Sequence, residues 1–388
     1  MIEKLKRFNW VQFFAMTALI AIGTVSIWSA GNARAETVFH GMWLNTLTTA
    51  AFGLVVYFAL AFFDYRKLLD FVAVPAYAVA LALLVAVLVF GSTVYGGRRW
   101  LWFFQPSEIS KLCVIMMMAQ VFGYEGSEAV NPRFRRFLLA AVLLAVPCLL
   151  ILAEPDLGTT LTLVPAAVLM MFVARVWRKG LVVLASVGAV LALAVLGAVY
   201  EAEKPGVSDE RREAILRYVP LKDHQLKRVR VFLFPEDDLL GAGYNLRQAK
   251  ISIGSGGFSG KGIGKGETNH LKYLPQAISM NDFIFCVYAE ETGFIGSLVL
   301  LALFGALIVP SCWVAFVSRD GRGRLLALGI STLVFAHVYI NIAMSIGLVP
   351  ITGLPLPFVS SGRTFLMTVM AGLGIIQSVS LHREVEKR

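Results

Sequence analysis

This sequence is poor in charge: 15% of its 388 residues are Asp, Glu, Lys or Arg, against about 25% in an average soluble domain. With 57% apolar residues and a mean hydropathy of +0.72, soluble classes are excluded and a membrane protein is indicated. Cysteine is scarce too. Cys113, Cys148, Cys286 and Cys312 lie in apolar stretches without C-x-x-C spacing, which argues against disulfides and reads as packing. The five histidines are scattered, so no zinc site is supported. The net charge of +10 does not point to nucleic acid, because in such a chain Lys and Arg report which side of the bilayer a loop occupies.

What is present is a series of apolar runs of about 18 residues or more, the length that crosses roughly 30 Å of hydrocarbon. They predict an all-α polytopic membrane protein with ten spans. The first runs from Trp10 to Ala30, the second from Leu44 to Phe63, the third to Phe90 and the fourth from Pro106 to Phe122. The fifth follows Arg133, Arg135 and Arg136 and ends at Glu154-Pro155, the sixth ends at Arg175, and the seventh covers Leu181 to Tyr200. A polar segment, residues 201–281, separates it from the eighth span, which starts near Asp282 and ends before Arg319. The ninth ends at P-I-T-G-L-P-L-P-F, and the tenth leads to Arg383, Lys387 and Arg388. We read residues 1–388 as one integral membrane domain, with 201–281 as a large loop inside it. Lys4, Lys6 and Arg7 before the first run, with Ala33-Arg34-Ala35 after it, resemble a signal peptide, but the run is too long for a signal core, so an uncleaved first span is expected.

The basic clusters fall at the N-terminus, after spans two, four, six and eight, and in the tail. By the positive-inside rule this face is cytoplasmic, as are both termini. The loops carrying Arg98-Arg99, Glu154-Asp156, residues 201–281 and 349–357 then share the outer face. Within 201–281, Ser208-Asp209-Glu210 opens a predicted short amphipathic helix, with Ser208 as N-cap; a helix lying on the membrane and a solvated one fit equally.

Ionisable groups in spans are expensive and mark sites by default. Glu108 and Lys111, three apart at the outer end of span four, form either a structural ion pair or a cation for an anionic substrate with its support. Asp156 either caps span six or joins the site. His337 and Asn341, four apart in span nine, are expected to bridge helices by hydrogen bonds. The run from Gly254 to Gly266 contains Lys261 and Lys265 but no Walker A spacing. It can accept a diphosphate or sugar chain, or serve as a hinge. Asp282, predicted in the first turn of span eight, is a helix cap or a proton acceptor at the bilayer boundary.

The combination R-R-W, Q-P-S-E-I-S-K, P-D-L-G-T, F-P-E-D-D-L-L-G-A-G-Y-N-L-R-Q, I-G-S-G-G-F-S-G-K-G, N-D-F-I-F-C-V-Y-A-E-E-T-G-F-I-G and P-I-T-G-L-P-L-P-F-V-S strongly resembles the SEDS family (shape, elongation, division and sporulation). The likeness runs in order over nearly the whole chain, and G-K-G with Gly266-Glu267-Thr268 resembles the RodA branch more than the FtsW branch. The resemblance implies a ten-span peptidoglycan glycosyltransferase of the bacterial inner membrane. It would polymerise lipid II for cell-wall elongation, beside a class B penicillin-binding protein and among membrane lipids. It implies Asp282 as the essential carboxylate, matches Glu108 and Lys111 to a cavity pair and Asp156 to the P-D-L-G acid, and places Arg228 and Gln248 in the loop motif. No nucleotide or organic cofactor is implied; a divalent cation, Mg2+ or Mn2+, is compatible.

The sequence departs from the pattern where Pro275-Gln276 and Met280-Asn281 replace a commoner Pro-Glu and His-Thr, and where Ser361-Gly362-Arg363 replaces Tyr-Gly-Gly; residues 201–222 read as an insertion. The implied chemistry is an inverting displacement, with Asp282 as base and Lys111, Arg99, Arg228 or a cation at the departing diphosphate. Two rivals share the same features: a lipid II flippase, which calls for a midplane site with access to both sides, and a non-catalytic scaffold of the cell-wall complex.

Overall fold

The computed structural model describes residues 6–32, 41–94, 97–102, 104–123, 133–204, 206–219, 221, 223–238, 241–267 and 273–383. Lys4, Ala33-Arg34-Ala35, Thr268, Lys387 and Arg388, all used above, lie outside them.

Each predicted span is helical. They are α1 (Trp10–Asn32), α2 (Met42–Phe62), α3 (Tyr65–Phe90), α4 (Pro106–Phe122), α5 (Arg133–Ala153), α6 (Leu157–Val173) and α7 (Arg178–Ala202). Among the described residues eight helices are long and apolar enough to cross a membrane, whereas α4 and α6 have 17 residues each, about 25 Å of helix. The chain is therefore a multi-pass membrane protein. A two-stranded antiparallel hairpin, β1 (Ser92–Val94) and β2 (Gly97–Trp100), bridges α3 and α4.

The polar segment 201–281 contains short helices. It holds α8 (Asp209–Leu216), α9 (Asp223–Leu233), α10 (Ala242–Ser255) and α11 (Gln276–Asn281). Ser208 precedes α8 as expected, but its side chain makes no capping bond and the helix buries no residue. Then follow α12 (Ile284–Val317), α13 (Gly321–Ile346) and α14 (Arg363–His382).

Local chemistry sets several helix starts. Pro106 occupies the first turn of α4, where its missing N–H costs nothing. Asp64 accepts from Arg66 N at the start of α3, and Asp320 accepts from Arg322 N and Gly323 N at the start of α13, satisfying donors that a helix end leaves open. Long-range polar ties join helices where lipid offers no competing water: Gln12 Nε2 donates to Ser311 Oγ at 2.8 Å between α1 and α12, and Tyr77 Oη to the Leu143 carbonyl at 2.9 Å between α3 and α5.

Burial grades from centre to edge. α14, at 78% of its span window, packs on α2 and α13, and α13 packs in turn on α12, α6 and α4. α7 buries only 6%. Exposed Phe52, Phe71, Phe90, Leu193 and Phe316 are the kind of surface that lipid covers.

Two irregular features interrupt the helices. α12 breaks at Gly293, with φ 69° and ψ −162°, so residues 284–292 form a separate buried arm and 294–317 a span of about 36 Å. Residues 349–361 run without regular structure yet are largely buried, with Leu354, Leu356, Phe358, Val359 and Ser360 each nearly inaccessible. Irregular backbone at such depth persists where protein groups satisfy its polar atoms.

Candidate active site

Asp282 does not stand in the first turn of the long helix. It closes the short helix α11, its N–H bonded to the Ile278 carbonyl at 3.0 Å, and Phe283 intervenes before α12 begins. The reason is the neighbourhood. Phe283 and Cys286 are drawn into an apolar cluster with Leu246, Ala249 and Leu274, and Met280 into another with Ala30 and Val287. The chain turns between these anchors and leaves the carboxylate, partly buried, between them.

The irregular 349–361 segment wraps this turn. Asn341 Nδ2 of α13 donates to the Asp282 carbonyl at 2.9 Å and to the Leu354 carbonyl at 2.6 Å. Ser360 Oγ donates to the Asn281 carbonyl at 2.6 Å, and Ser361 N to the Met280 carbonyl at 3.2 Å. Gly353, with φ 72°, faces the carboxylate: a Cβ added there would lie 3.4 Å from Oδ2. Backbone at positive φ is cheap for glycine alone, and the bare Cα leaves room beside the acid.

Two arginines bear on Asp282. Arg228 of α9 donates from Nη1 to the Thr352 carbonyl at 3.1 Å, one residue from Gly353, and Arg99 of β2 donates from Nη2 to the Pro155 carbonyl. Burial pushes the Asp282 carboxyl up to about 6, and Arg228 and Arg99 pull it back. Burial and the nearby Arg99 push the Arg228 guanidinium down from its ordinary value, against Asp156 and Asp282. The loops between α3 and α4, before α6, within 201–281 and within 349–361 thus come together around Asp282.

Asp156 caps α6. It accepts from Thr159 N at 3.1 Å, Thr159 Oγ1 at 2.8 Å and Gln105 Nε2 at 3.1 Å. It borders the site and fixes the Pro155 carbonyl that holds Arg99. Glu108 and Lys111 pair at 2.8 Å with side chains 4% and 1% exposed, and Lys111 Nζ also meets His337 Nε2 at 2.8 Å. These contacts occupy the Lys111 ammonium within the protein; His337 links α13 to α4 as expected, whereas Asn341 ties α13 to the Asp282 turn and to the irregular 349–361 segment. Gln248 lies on α10, whose Leu246 and Ala249 share an apolar cluster with Phe283 and Cys286.

Lys261 belongs elsewhere. The glycine run folds onto the α12 break: Lys261 N and Gly262 N donate to the Glu290 and Glu291 carbonyls at 3.0 and 2.9 Å, and Phe294 N and Ile295 N donate back to Gly257 and Phe258. Lys261 Nζ meets Glu290 Oε1 at 2.8 Å and Glu267 Oε2 at 3.3 Å. Glu291 accepts from Gly264 N and from Ser29. A Cβ on Gly260 would lie 2.1 Å from the Glu291 carbonyl oxygen, so here glycine serves close backbone approach. These donors face the protein's own carboxylates and are not turned toward a diphosphate. The tandem acids Glu290-Glu291 inside an apolar run were the signal for this clasp.

Glu154, used above only to mark a loop, also lies here, wholly buried beside Asp156 and Arg99. Among the described residues no group of three or more His, Cys, Asp or Glu is placed to hold a metal ion, so these residues do not form a cage for a divalent cation.

Comparison with known proteins gives one answer. The family model FtsW/RodA/SpoVE, described as cell cycle protein, matches residues 9–385. The peptidoglycan glycosyltransferase MrdB of Escherichia coli (strain K12) is 36% identical over 375 residues, 95% of this chain and 92% of that protein. A probable peptidoglycan glycosyltransferase FtsW of Trichlorobacter lovleyi is 33% identical, covering 97% and 94%. Among solved structures, a chain from a study of how a peptidoglycan synthase complex coordinates polymerization and crosslinking superposes with a TM-score of 0.74 at 28% identity, covering 96% of this chain and 97% of that one. The rod shape determining protein RodA of Thermus thermophilus gives 0.67 at 25%, covering 98% of each.

Proposed function

Because the chain belongs to the FtsW/RodA/SpoVE family of cell cycle proteins, we propose that it is a peptidoglycan glycosyltransferase that polymerises lipid II with Asp282 as its base. The observation that carries this reading is the Asp282 carboxylate within the electrostatic reach of Arg228 and Arg99, where four loops converge.

Asp282 takes the proton of the acceptor sugar's 4-hydroxyl. The freed oxygen attacks the anomeric carbon of the donor, the new glycosidic bond forms, and the bond to the lipid diphosphate breaks with inversion from α to β. Arg228 and Arg99 neutralise the charge that develops on the departing diphosphate. That group leaves as an anion without needing a strong acid, which is consistent with one central carboxylate and no acid/base pair. The wrapped 349–361 segment limits water at the reacting atoms.

The same reading sets the protein in the bacterial inner membrane with both termini cytoplasmic, as the distribution of Lys and Arg supports. Its partner is a class B penicillin-binding protein that cross-links the product, consistent with the likeness to a synthase complex. The test is polymerisation of lipid II by the purified full chain with its partner in proteoliposomes. Asp282→Ala and Asp282→Asn should lose at least a hundredfold in rate, within the usual contribution of a positioned base. Retained activity in both would remove Asp282 from the mechanism, and lipid II movement without polymer would indicate a flippase.

A further inference from the structure

Glu154 follows the last residue of α5 and is 0% exposed. Its backbone N–H is held by the Leu150 and Ile151 carbonyls, but neither side-chain oxygen has a hydrogen-bond partner. The charged groups facing it are Asp156, at the start of α6, and Arg99, on β2; Arg99 in turn bears on Asp282 and Arg228. Arg99 would be its natural partner, yet Arg99 gives Nη2 to the Pro155 carbonyl and its buried Nε has no partner either. Two unmet groups of complementary chemistry thus lie in one neighbourhood at the edge of the site without meeting.

Buried polar atoms are almost always satisfied. An ionised carboxylate with no donor is far more costly to bury than a neutral one, so Glu154 carries its proton. Two donors are then unmet, the carboxyl O–H and the Arg99 Nε–H. A phosphate oxygen can take both at once, and as an anion it makes the stronger, charge-assisted bonds. An ionised Glu154 would instead repel that anion and compete for Arg99.

We propose that Glu154 is a further substrate-binding residue, an uncharged carboxyl that donates a hydrogen bond, together with Arg99, to an oxygen of the lipid-linked diphosphate. The inference rests on the glycosyltransferase reading for the identity of the phosphate carrier. It adds no covalent step: the proton stays on Glu154 through the transfer. Burial, then Asp156, push this carboxyl up to about 8 against the pull of Arg99, so the binding form is the one present at neutral pH.

The experiment measures lipid II polymerisation and, separately, binding of inorganic pyrophosphate from pH 6 to 10, for wild type, Glu154→Gln and Glu154→Ala in the full chain with its partner. Wild type should lose substrate affinity as pH rises through about 8, seen as rising KM with little change in kcat. Glu154→Gln keeps a neutral donor. It should weaken binding a few-fold at pH 7 and abolish the alkaline loss. Glu154→Ala removes the donor and should raise KM by roughly ten- to a hundredfold, the effect of a hydrogen bond to a charged group. An alkaline loss that persists in Glu154→Gln overturns the proposal, and so does an unchanged KM in Glu154→Ala. Thermal stability of Glu154→Gln equal to wild type shows that the profile is read on folded protein. Pyrophosphate separates the two readings: Glu154-dependent binding without polymerisation overturns the glycosyltransferase reading alone, and polymerisation with Glu154-independent pyrophosphate binding overturns this proposal alone.

Discussion

Ser361 Oγ donates to Asn281 Oδ1 at 2.5 Å, across 80 positions of chain. Both residues stand where the sequence departs from the family pattern, and the structure joins the two departures. Their bond fastens the 349–361 segment to the residue before Asp282. Loss of either side chain leaves the other unmet, so Asn281→Ala and Ser361→Ala should each cut polymerisation roughly fivefold, about 1 kcal/mol. The double variant should be no worse than the poorer single. Rates of the four proteins give the coupling directly, and additive losses would show that the two act apart.

A base with its carboxyl near 6 has a defined pH profile. Asp282 works ionised, so the rate should climb as pH rises through about 6 and level off above 7. Arg228 lowers this value. Removing it leaves burial less opposed, so in Arg228→Gln the acid limb should move to higher pH, and the maximal rate should also fall because the leaving group loses a cation. Initial rates from pH 5 to 8 decide the matter. A limb that moves to lower pH would contradict the arrangement.

Lys261 tests the reassignment of the glycine run. Its ammonium is the cation on Glu290, which is 1% exposed. Without it Glu290 keeps Ser252 Oγ and Glu267 N as donors but loses a cation, so Lys261→Met should lose roughly 1–3 kcal/mol of stability, measured as a lower melting temperature in detergent. KM for lipid II should stay unchanged. A raised KM at unchanged melting temperature would return Lys261 to the substrate.

The spans were legible because apolar runs of membrane length are a one-dimensional signal, and α4 began at Pro106 for a local reason. The clustering of Arg99, Asp156 and Arg228 near Asp282 was legible only as a shared outer face. Distance was not. The register of Asp282 was missed because Phe283 and Met280 are claimed by clusters built from α1, α10 and the chain before α11, and no local pattern encodes those partners. The glycine run was left open between a ligand loop and a hinge because such a run looks alike whether it meets a phosphate or a backbone; the structure shows Lys261 on Glu290. Glu154 was passed over because burial, not residue type, makes it distinctive.

The Glu108–Lys111–His337 chain carries the last prediction. Lys111 Nζ has 2.8 Å contacts to both Glu108 and His337 and lies under Phe365, 5.4 Å from the ring centre. Each contact uses an ammonium direction, and none is left for an anion. Lys111→Ala should therefore fail through the fold, stranding Glu108 at a cost of about 3–5 kcal/mol. Replacing both charges removes the stranded group, so Glu108→Gln with Lys111→Met should recover melting temperature and most of the polymerisation rate. A double variant that is stable but inactive would mean that the ammonium turns from His337 toward substrate during the reaction, and the pair would then belong to the active site after all.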